Sequence, residues 1–365
     1  MNFAIFLQHY FPFGGLQRDA LRLAEAAQSA GDEPTLVVST WEGPKPTTIP
    51  VTELHAGGLT NHVKAQCFGR ACQKQLTKFD TSIGFHRVPD APFHFCGDAC
   101  IAERLERSGK PALAKRLVPR YRSQLRNEHA VFRSGAPTHI FFLAEKEISD
   151  YQRHYKLSES RYTLLPPWLR RSDSFTEPRQ SIRSRLLTEI GVEETAKVLL
   201  FVGSNYRLKR LDRIVDSLAL LEESVHLAVC GTDDFAPIQR QAEANKVAHR
   251  VHALGARDDL PAWMLTADLL VHPSERETAG MVLTEALTYG LPVTCTTCCG
   301  YAPYVAEAGG TLLSAPCPPE ELAEAISTML KGLPQLRSKA LTWSANPERY
   351  QTAEIILERM RRKTS

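Results

Sequence analysis

The stretch that decides the fold is HPSERETAGMVLTEALTYGL, residues 272–291. The apolar run Leu269–Val271 precedes it, so the segment reads as strand, loop and helix. Glu277 and Glu285 stand in it with seven residues between them. The small residues Thr278, Ala279 and Gly280 fall where the helix would begin. A helix N-terminus carries unpaired N–H groups and a partial positive charge, and both attract phosphate. Gly280 lets a ligand come close to the backbone. Eight helical residues rise about 12 Å, too far for the two carboxylates to work as one acid/base pair. They suit instead the two ends of one long ligand with phosphates at its middle, which is the shape of a nucleotide sugar. The same residues also fit a surface helix whose glutamates face water.

Outward from this stretch the second half of the chain alternates regularly. Val198–Val202, Val225–Cys230, Val251–Leu254, Leu269–Val271 and Pro292–Cys295 are short apolar runs separated by helix-length segments. Such βαβ repetition predicts a parallel sheet with helices on both faces. The first run leads into GSNYRLKRLDR, which brings Arg207, Lys209 and Arg210 to the carboxyl end of a strand. Cations there would neutralise a diphosphate leaving group, although a lysine in a loop equally suits plain solvent exposure.

The first half opens in the same way. Phe3–Leu7 is a strand, Gly14 and Gly15 form a turn, and Leu16, Ala20, Leu23, Ala24 and Ala27 recur at helical spacing up to Gly31. Thr35–Ser39 is the next strand, completing the opening unit of a doubly wound α/β domain. The turn is not G-x-G-x-x-G and no acidic residue ends the second strand, which argues against a dinucleotide cofactor. Thr81–Phe85, His139–Leu143 and Tyr162–Leu165 are later strands. FHRVPDAPFHFCGDAC, residues 85–100, reads as a loop facing a cleft, with Asp98 its notable carboxylate. LPPW at 165–168 and the polar run after it mark a boundary, giving domains at 1–168 and 169–345 and a tail at 346–365. In the tail Tyr350, Ala353, Ile356 and Met360 lie on one helical face.

A length of 365 residues fits two domains, and 43% hydrophobic with 23% charged residues is ordinary for a soluble globular chain. No apolar run approaches the ~18 residues of a membrane span. The N-terminal residues lack a basic leader and a small-residue cleavage site, so cytoplasm is the expectation. Residues 1–165 hold 21 Lys/Arg against 16 Asp/Glu, an excess of five, while the remainder is slightly acidic. That excess is far below a nucleic-acid binder's but suits an anionic partner. The segment 103–129 concentrates it, with Arg120 and Arg122 among eight cations, interrupted at Pro111 and Pro119. It reads either as a basic amphipathic segment on an anionic membrane or as a solvated helix face. The nine cysteines include C-x-x-C-C at 295–299, for which only His272 offers itself as a further zinc ligand. An odd count in a cytosolic chain argues against a disulfide framework.

Taken together, FPFGGLQRD at 11–19, HYKLSESRYTLLPP at 154–167, GSNYRLK at 203–209, HPSERETAGMVLTEAL at 272–287 and CGYAPYVAEA at 299–308 resemble the retaining GT-B glycosyltransferases of the E-x7-E type. Within that family they are most similar to the lipopolysaccharide core glucosyltransferases, and the resemblance covers almost the whole chain. It implies two Rossmann-like domains facing across a cleft, with a C-terminal helix returning to the first. It implies hexose transfer from a UDP-sugar to a phosphorylated inner-core heptose, at the cytoplasmic face of an anionic inner membrane. Gly14 and Gly15 would let the donor phosphates approach, Lys209 with Arg207 would hold the diphosphate, and Glu277 would meet the donor sugar. Thr278, Ala279 and Gly280 would line the phosphates, Glu285 would take the ribose, and Asp98 would stand near the reacting sugar. Arg18, His62, Arg120 and Arg122 would face acceptor or membrane. The chain contains no D-x-D, which suits a site that uses lysine and a helix dipole instead of a metal, with no cofactor besides the UDP-sugar substrate. Three positions depart from the family pattern: Leu208 replaces a basic residue, Arg210 a glycine, and Trp168 the glycine of a Pro-Pro-Gly hinge. Leu208 and Arg210 allow a rival, a sugar-nucleotide or glycan binder that has lost catalysis; the other alternative is transfer of GlcNAc, GalNAc or Gal from its UDP-sugar to another cell-surface glycan.

Overall fold

The computed structural model describes residues 1–12, 14–109, 117–169 and 175–364. Two compact units result, Met1–Trp168 with Gln351–Ser365, and Leu169–Tyr350.

The first unit is built on seven parallel strands: β1 (Asn2–Tyr10), β2 (Glu33–Trp41), β3 (Val51–Glu53), β4 (Thr81–Gly84), β5 (Phe93–Cys96), β6 (His139–Phe142) and β7 (Tyr162–Leu164). Their order across the sheet is β3-β2-β1-β4-β5-β6-β7. Ile5 of β1 lies between Leu36 and Ile83, all three fully buried. Helices cover both faces of such a sheet, so its central strands are continuously apolar instead of alternating. The outermost strands, β3 and β7, have only three residues each and are partly exposed, which limits the unpaired edge. Pro34 is the second residue of β2 and precedes the pairing with β3, which begins at Leu36, so its missing N–H breaks no ladder on that side.

The second unit repeats the plan with β8 (Lys197–Val202), β9 (Val225–Cys230), β10 (Val251–Gly255), β11 (Leu269–His272), β12 (Val293–Thr296) and β13 (Thr311–Leu313), ordered β10-β9-β8-β11-β12-β13. Leu199, Phe201, Leu227, Val229, Leu269 and Val271 form the strand side of one core, and Ile214, Leu218, Leu322 and Ile326 the helix side. In both units the strand order turns back beside the first strand, between β1 and β4 and between β8 and β11. Loops leaving the carboxyl ends of such neighbours diverge and leave a crevice for ligand.

Several expectations need correction. Residues 93–96 are not loop but the buried strand β5. Both faces are covered, so the alternation that would have revealed it is missing. The break expected at Pro119 is present: Leu117 is helical, Val118 is not, and Pro119 starts a new helix, Pro119–Phe132, where its lack of an N–H costs nothing. Pro111, Lys110, Leu113, Lys115 and Arg116 lie outside the described residues. The segment 103–129 is not uniformly a solvated basic face, because Glu103 and Glu128 within it are buried. Trp168 packs edge-on against Phe95 with ring centroids 5.6 Å apart, a core contact of the first unit. Among the described residues no helix is long and apolar enough to cross a membrane.

Candidate active site

In the second unit the switch point brings together two loops 68 residues apart. The loop after β8 turns at Gly203, whose φ is +139°. A methyl group there would lie 2.7 Å from Lys209 Cε and 2.8 Å from its Cδ, so the glycine leaves the path along which Lys209 runs. Gly231, ending β9, permits a second close approach: a Cβ there would sit 2.3 Å from the Gly203 carbonyl oxygen. Asn205, at φ +62°, accepts the Leu208 N–H with its side chain at 3.2 Å and starts the one-turn helix Tyr206–Lys209.

The loop after β11 is tied to this turn. Glu275 N donates to the Leu208 carbonyl at 3.1 Å, and Ser274 Oγ to the same oxygen at 3.3 Å. Leu208 thus serves through its backbone, whatever its side chain. Tyr301 N donates to Ala279 O at 2.7 Å from the other side, and Glu277 forms a bridge with Cys299. Between these staples Glu277 meets Lys209, with Nζ to Oε2 at 2.5 Å, and His272, with Nε2 to the same oxygen at 3.3 Å. Burial pushes the Glu277 carboxyl up, but the His272 hydrogen bond and the Lys209 charge outweigh it and hold the group at about 2. His272 is fully buried, and burial lowers its imidazole below the ordinary value despite the carboxylate beside it. The ring is therefore neutral near pH 7. A carboxylate only accepts, so the proton sits on Nε2. Among the described residues His272 and the cysteines at 295–299 do not form a group able to hold a metal ion.

Gly280, at φ +85°, caps the helix Met281–Thr288 with no side-chain hydrogen bond. A Cβ on it would crowd Leu283 at 3.0 Å and Glu277 Cγ at 3.2 Å. The first N–H groups of this helix are those of a terminus suited to phosphate. Glu285 lies one turn further along and is partly buried. Only four of the eight steps from Glu277 to Glu285 are helical, so the helical rise used above does not set their separation. Arg207 is exposed, and no ion pair holds it among the described residues. Arg210 is committed elsewhere: its fork grips Asp212 at 2.9 and 2.7 Å and reaches Glu275. It occupies left-handed backbone at φ +55°, where the family's glycine would rest without strain.

In the first unit Gly14 precedes the helix Gly15–Ser29. The amide of Gln17 fills the space a Gly14 side chain would need and donates to His9 O at 3.0 Å. Arg18 is partly buried on the same helix. Asp98 follows β5 on an exposed loop, its carboxylate 3.6 Å from Arg87. His62 and Arg120 line one cavity of about 350 Å³ with Asn61, Ser123, Gln124 and Asn127, where the helices Asn61–Gln73 and Pro119–Phe132 meet. Arg122 is an exposed neighbour of Arg120 on the second of these helices. Spacing along the chain gave no hint of Arg87 or Glu128, which meet across 41 residues, with Tyr151 64 residues from Arg87. Gly203 and His272 carried a signal: each sits directly at the end of an apolar strand.

The family described as Glycosyl transferases group 1 matches residues 183–340, inside the second unit. The Escherichia coli (strain K12) lipopolysaccharide glucosyltransferase WaaG is 34% identical over 357 residues, covering 96% of this chain and 94% of that protein. A crystal structure of WaaG, described as a glycosyltransferase involved in lipopolysaccharide biosynthesis, superposes with a TM-score of 0.89 at 33% identity over 98% of this chain and 99% of that one. The structure of Anabaena Alr3699/HepE in complex with UDP and glucose gives 0.78 at 16% identity over 99% and 100%, a likeness of fold alone. Two Rossmann-like parallel-sheet units of this kind define the GT-B class. The chain belongs to the group 1 glycosyltransferases, in the family of the lipopolysaccharide glucosyltransferases, and is a hexosyltransferase.

Proposed function

We propose that the enzyme moves glucose from UDP-glucose to an inner-core heptose of lipopolysaccharide with retention of configuration. The observation that carries this reading is the Lys209–Glu277–His272 cluster beside the helix N-terminus at Gly280, within a chain 34% identical to WaaG along nearly its whole length. Lys209 and the helix N-terminus receive the donor diphosphate, and Glu277, kept ionised, receives a hydroxyl of the hexose. Arg207, Thr278 and Ala279 add contacts to the phosphates, and Glu285 takes the ribose. Gly14 and Gly15 border the donor, and Asp98 serves the incoming acceptor. Without a protein nucleophile, the departing phosphate itself takes the acceptor proton on the face it leaves. The protein's contribution is then positioning and charge stabilisation. Lysine and helix dipole supply the positive charge, so turnover should persist in EDTA; a strict requirement for added magnesium would refute this.

Membrane association belongs to the same proposal. Leu59, Val63, Leu117 and Val118 are exposed apolar residues at the starts of the helices Asn61–Gln73 and Pro119–Phe132, next to His62, Arg120 and Arg122. With Arg18, these cations would draw the enzyme to phosphorylated core and to the anionic cytoplasmic leaflet. Flotation with vesicles containing anionic phosphatidylglycerol should exceed flotation with neutral vesicles, and Leu117→Asp should lower it. The catalytic proposal is tested by product formation from UDP-glucose and purified heptose-terminated core. Wild-type rates in Lys209→Met or Glu277→Gln would remove it. A faster reaction with another UDP-sugar would correct the donor alone.

A further inference from the structure

Asp98 sits on a loop and its side chain is 60% exposed, so nothing above it fixes its direction. What lies beneath does. Arg87, leaving β4, approaches the Asp98 carboxylate with one terminal nitrogen at 3.6 Å. Its other terminal nitrogen donates to Glu128 at 2.9 Å, to the Tyr151 hydroxyl at 3.0 Å and to Ala99 O at 3.4 Å. The Tyr151 hydroxyl donates in turn to the Asp98 carbonyl at 3.3 Å. Side chain and backbone of Asp98 are thus tied to one guanidinium and the phenol it binds.

Glu128 holds that guanidinium from below. It is wholly buried, on the helix Pro119–Phe132, and accepts Ile101 N at 2.7 Å, Ala102 N at 3.0 Å and the Tyr155 hydroxyl at 2.7 Å. Ile101 and Ala102 open the helix Ile101–Arg107 that follows the Asp98 loop, so the same carboxylate caps that helix. Glu147 adds a bond from Cys100 N at 3.3 Å. Residues 99–102 are therefore anchored at four successive positions. A buried ion pair is a poor source of stability, since well-packed apolar groups would do as well or better. Its use is geometric: it holds a guanidinium fork in one orientation beneath an otherwise unsupported carboxylate.

We infer that Arg87, locked by Glu128, is a positioning residue for the transfer reaction, setting where the Asp98 carboxylate meets the acceptor. The inference rests on the reading of Asp98 as the acceptor-side group. Arg87 and Glu128 belong to the first unit and the donor loops at 203–210 and 272–280 to the second, so donor handling is tested separately. Lysine at 87 keeps the charge but loses the fork; methionine loses both.

The experiment measures kcat and KM with UDP-glucose and heptose-terminated core for Arg87→Met, Arg87→Lys and Asp98→Asn, with calorimetric UDP binding as the check on fold. Arg87→Met should lower kcat roughly 10- to 100-fold, as misplacement of a reacting group does, with donor KM within about twofold and UDP binding unchanged. Arg87→Lys should recover most of the loss. An Arg87→Met enzyme at wild-type kcat beside an inactive Asp98→Asn overturns the inference and leaves Asp98 in place. UDP affinity lost together with kcat, or no rescue by lysine, also overturns it and reduces the cluster to scaffold. Asp98→Asn at wild-type kcat removes the reading of Asp98 itself.

Discussion

A single methyl group at Gly203 tests whether the course of Lys209 matters to catalysis. In Gly203→Ala the new Cβ would begin 2.7 Å from Lys209 Cε. Carbon atoms rest at about 3.5–4.0 Å, so the lysine stem must retreat by close to 1 Å. A displacement of about 1 Å in a positioned group costs on the order of 100-fold in rate, or about 2.7 kcal/mol. The backbone at φ +139° adds its own strain, about 1–3 kcal/mol, which appears in stability. The two effects separate in a double-mutant cycle with Lys209→Met, followed by kcat/KM for UDP-glucose and by thermal unfolding. Gly203→Ala should cost about 100-fold in the wild-type background. It should cost little more once Lys209 is already methionine, while the loss of stability persists in both. An equal 100-fold loss in the Lys209→Met background would mean that the methyl acts through the backbone alone, and the reasoning fails.

Further expectations concern charge and backbone. Glu277 lies at about 2 instead of 4.5, so its contribution to stability, at most about 3 kcal/mol, is fully present above pH 4.5 and disappears as pH falls through 2. Denaturation curves of wild type and Glu277→Gln should differ by a constant amount from pH 7 down to pH 5 and converge below it. Glu147 behaves oppositely: burial and Asp150 push its carboxyl up to about 7. The folded state then binds a proton the unfolded chain has released, and stability falls as pH rises from 4.5 through 7. Glu147→Gln should flatten that decline, by up to about 3 kcal/mol at pH 8 in urea melts. At position 210 the φ of +55° favours glycine. Arg210→Gly should be about 1–2 kcal/mol more stable than Arg210→Ala in the same assay, although both lose the Asp212 and Glu275 pairs.

The alternation of apolar runs was enough to place ten of the strands, because parallel strands of this kind are compact apolar blocks set apart by helices. It failed at Val51–Glu53, Phe93–Cys96 and Thr311–Leu313. Two of these are three-residue edge pieces, too short to show a period. Phe93–Cys96 is central, but His94 and the flanking prolines disguise a strand buried on both sides. On the donor side, Lys209 and Glu277 were legible because each follows a strand that the β8–β11 switch makes a neighbour. The Arg87–Glu128–Tyr151 cluster was not. Its members come from a strand end and two helices, joined only by tertiary packing, and a glutamate in a basic helix resembles any solvent-facing carboxylate. Arg210 resembled a spare phosphate cation, and only the position of Asp212 and Glu275 shows where its charge is used.

The first unit is closed by a segment made after the whole of the second. Thr352 reaches the carbonyls of Pro166 and Pro167, Arg361 pairs with Asp32, and Lys363 donates to Pro137 O. During synthesis the second unit, whose residues are contiguous, can reach its final state first, while the earlier-made sheet waits for its covering helix. Chains truncated at residue 350 should therefore yield a protease-resistant core from 169 onward and a digestible N-terminal half. Resistance of both halves at that length would show that the terminal helix seals a structure already complete.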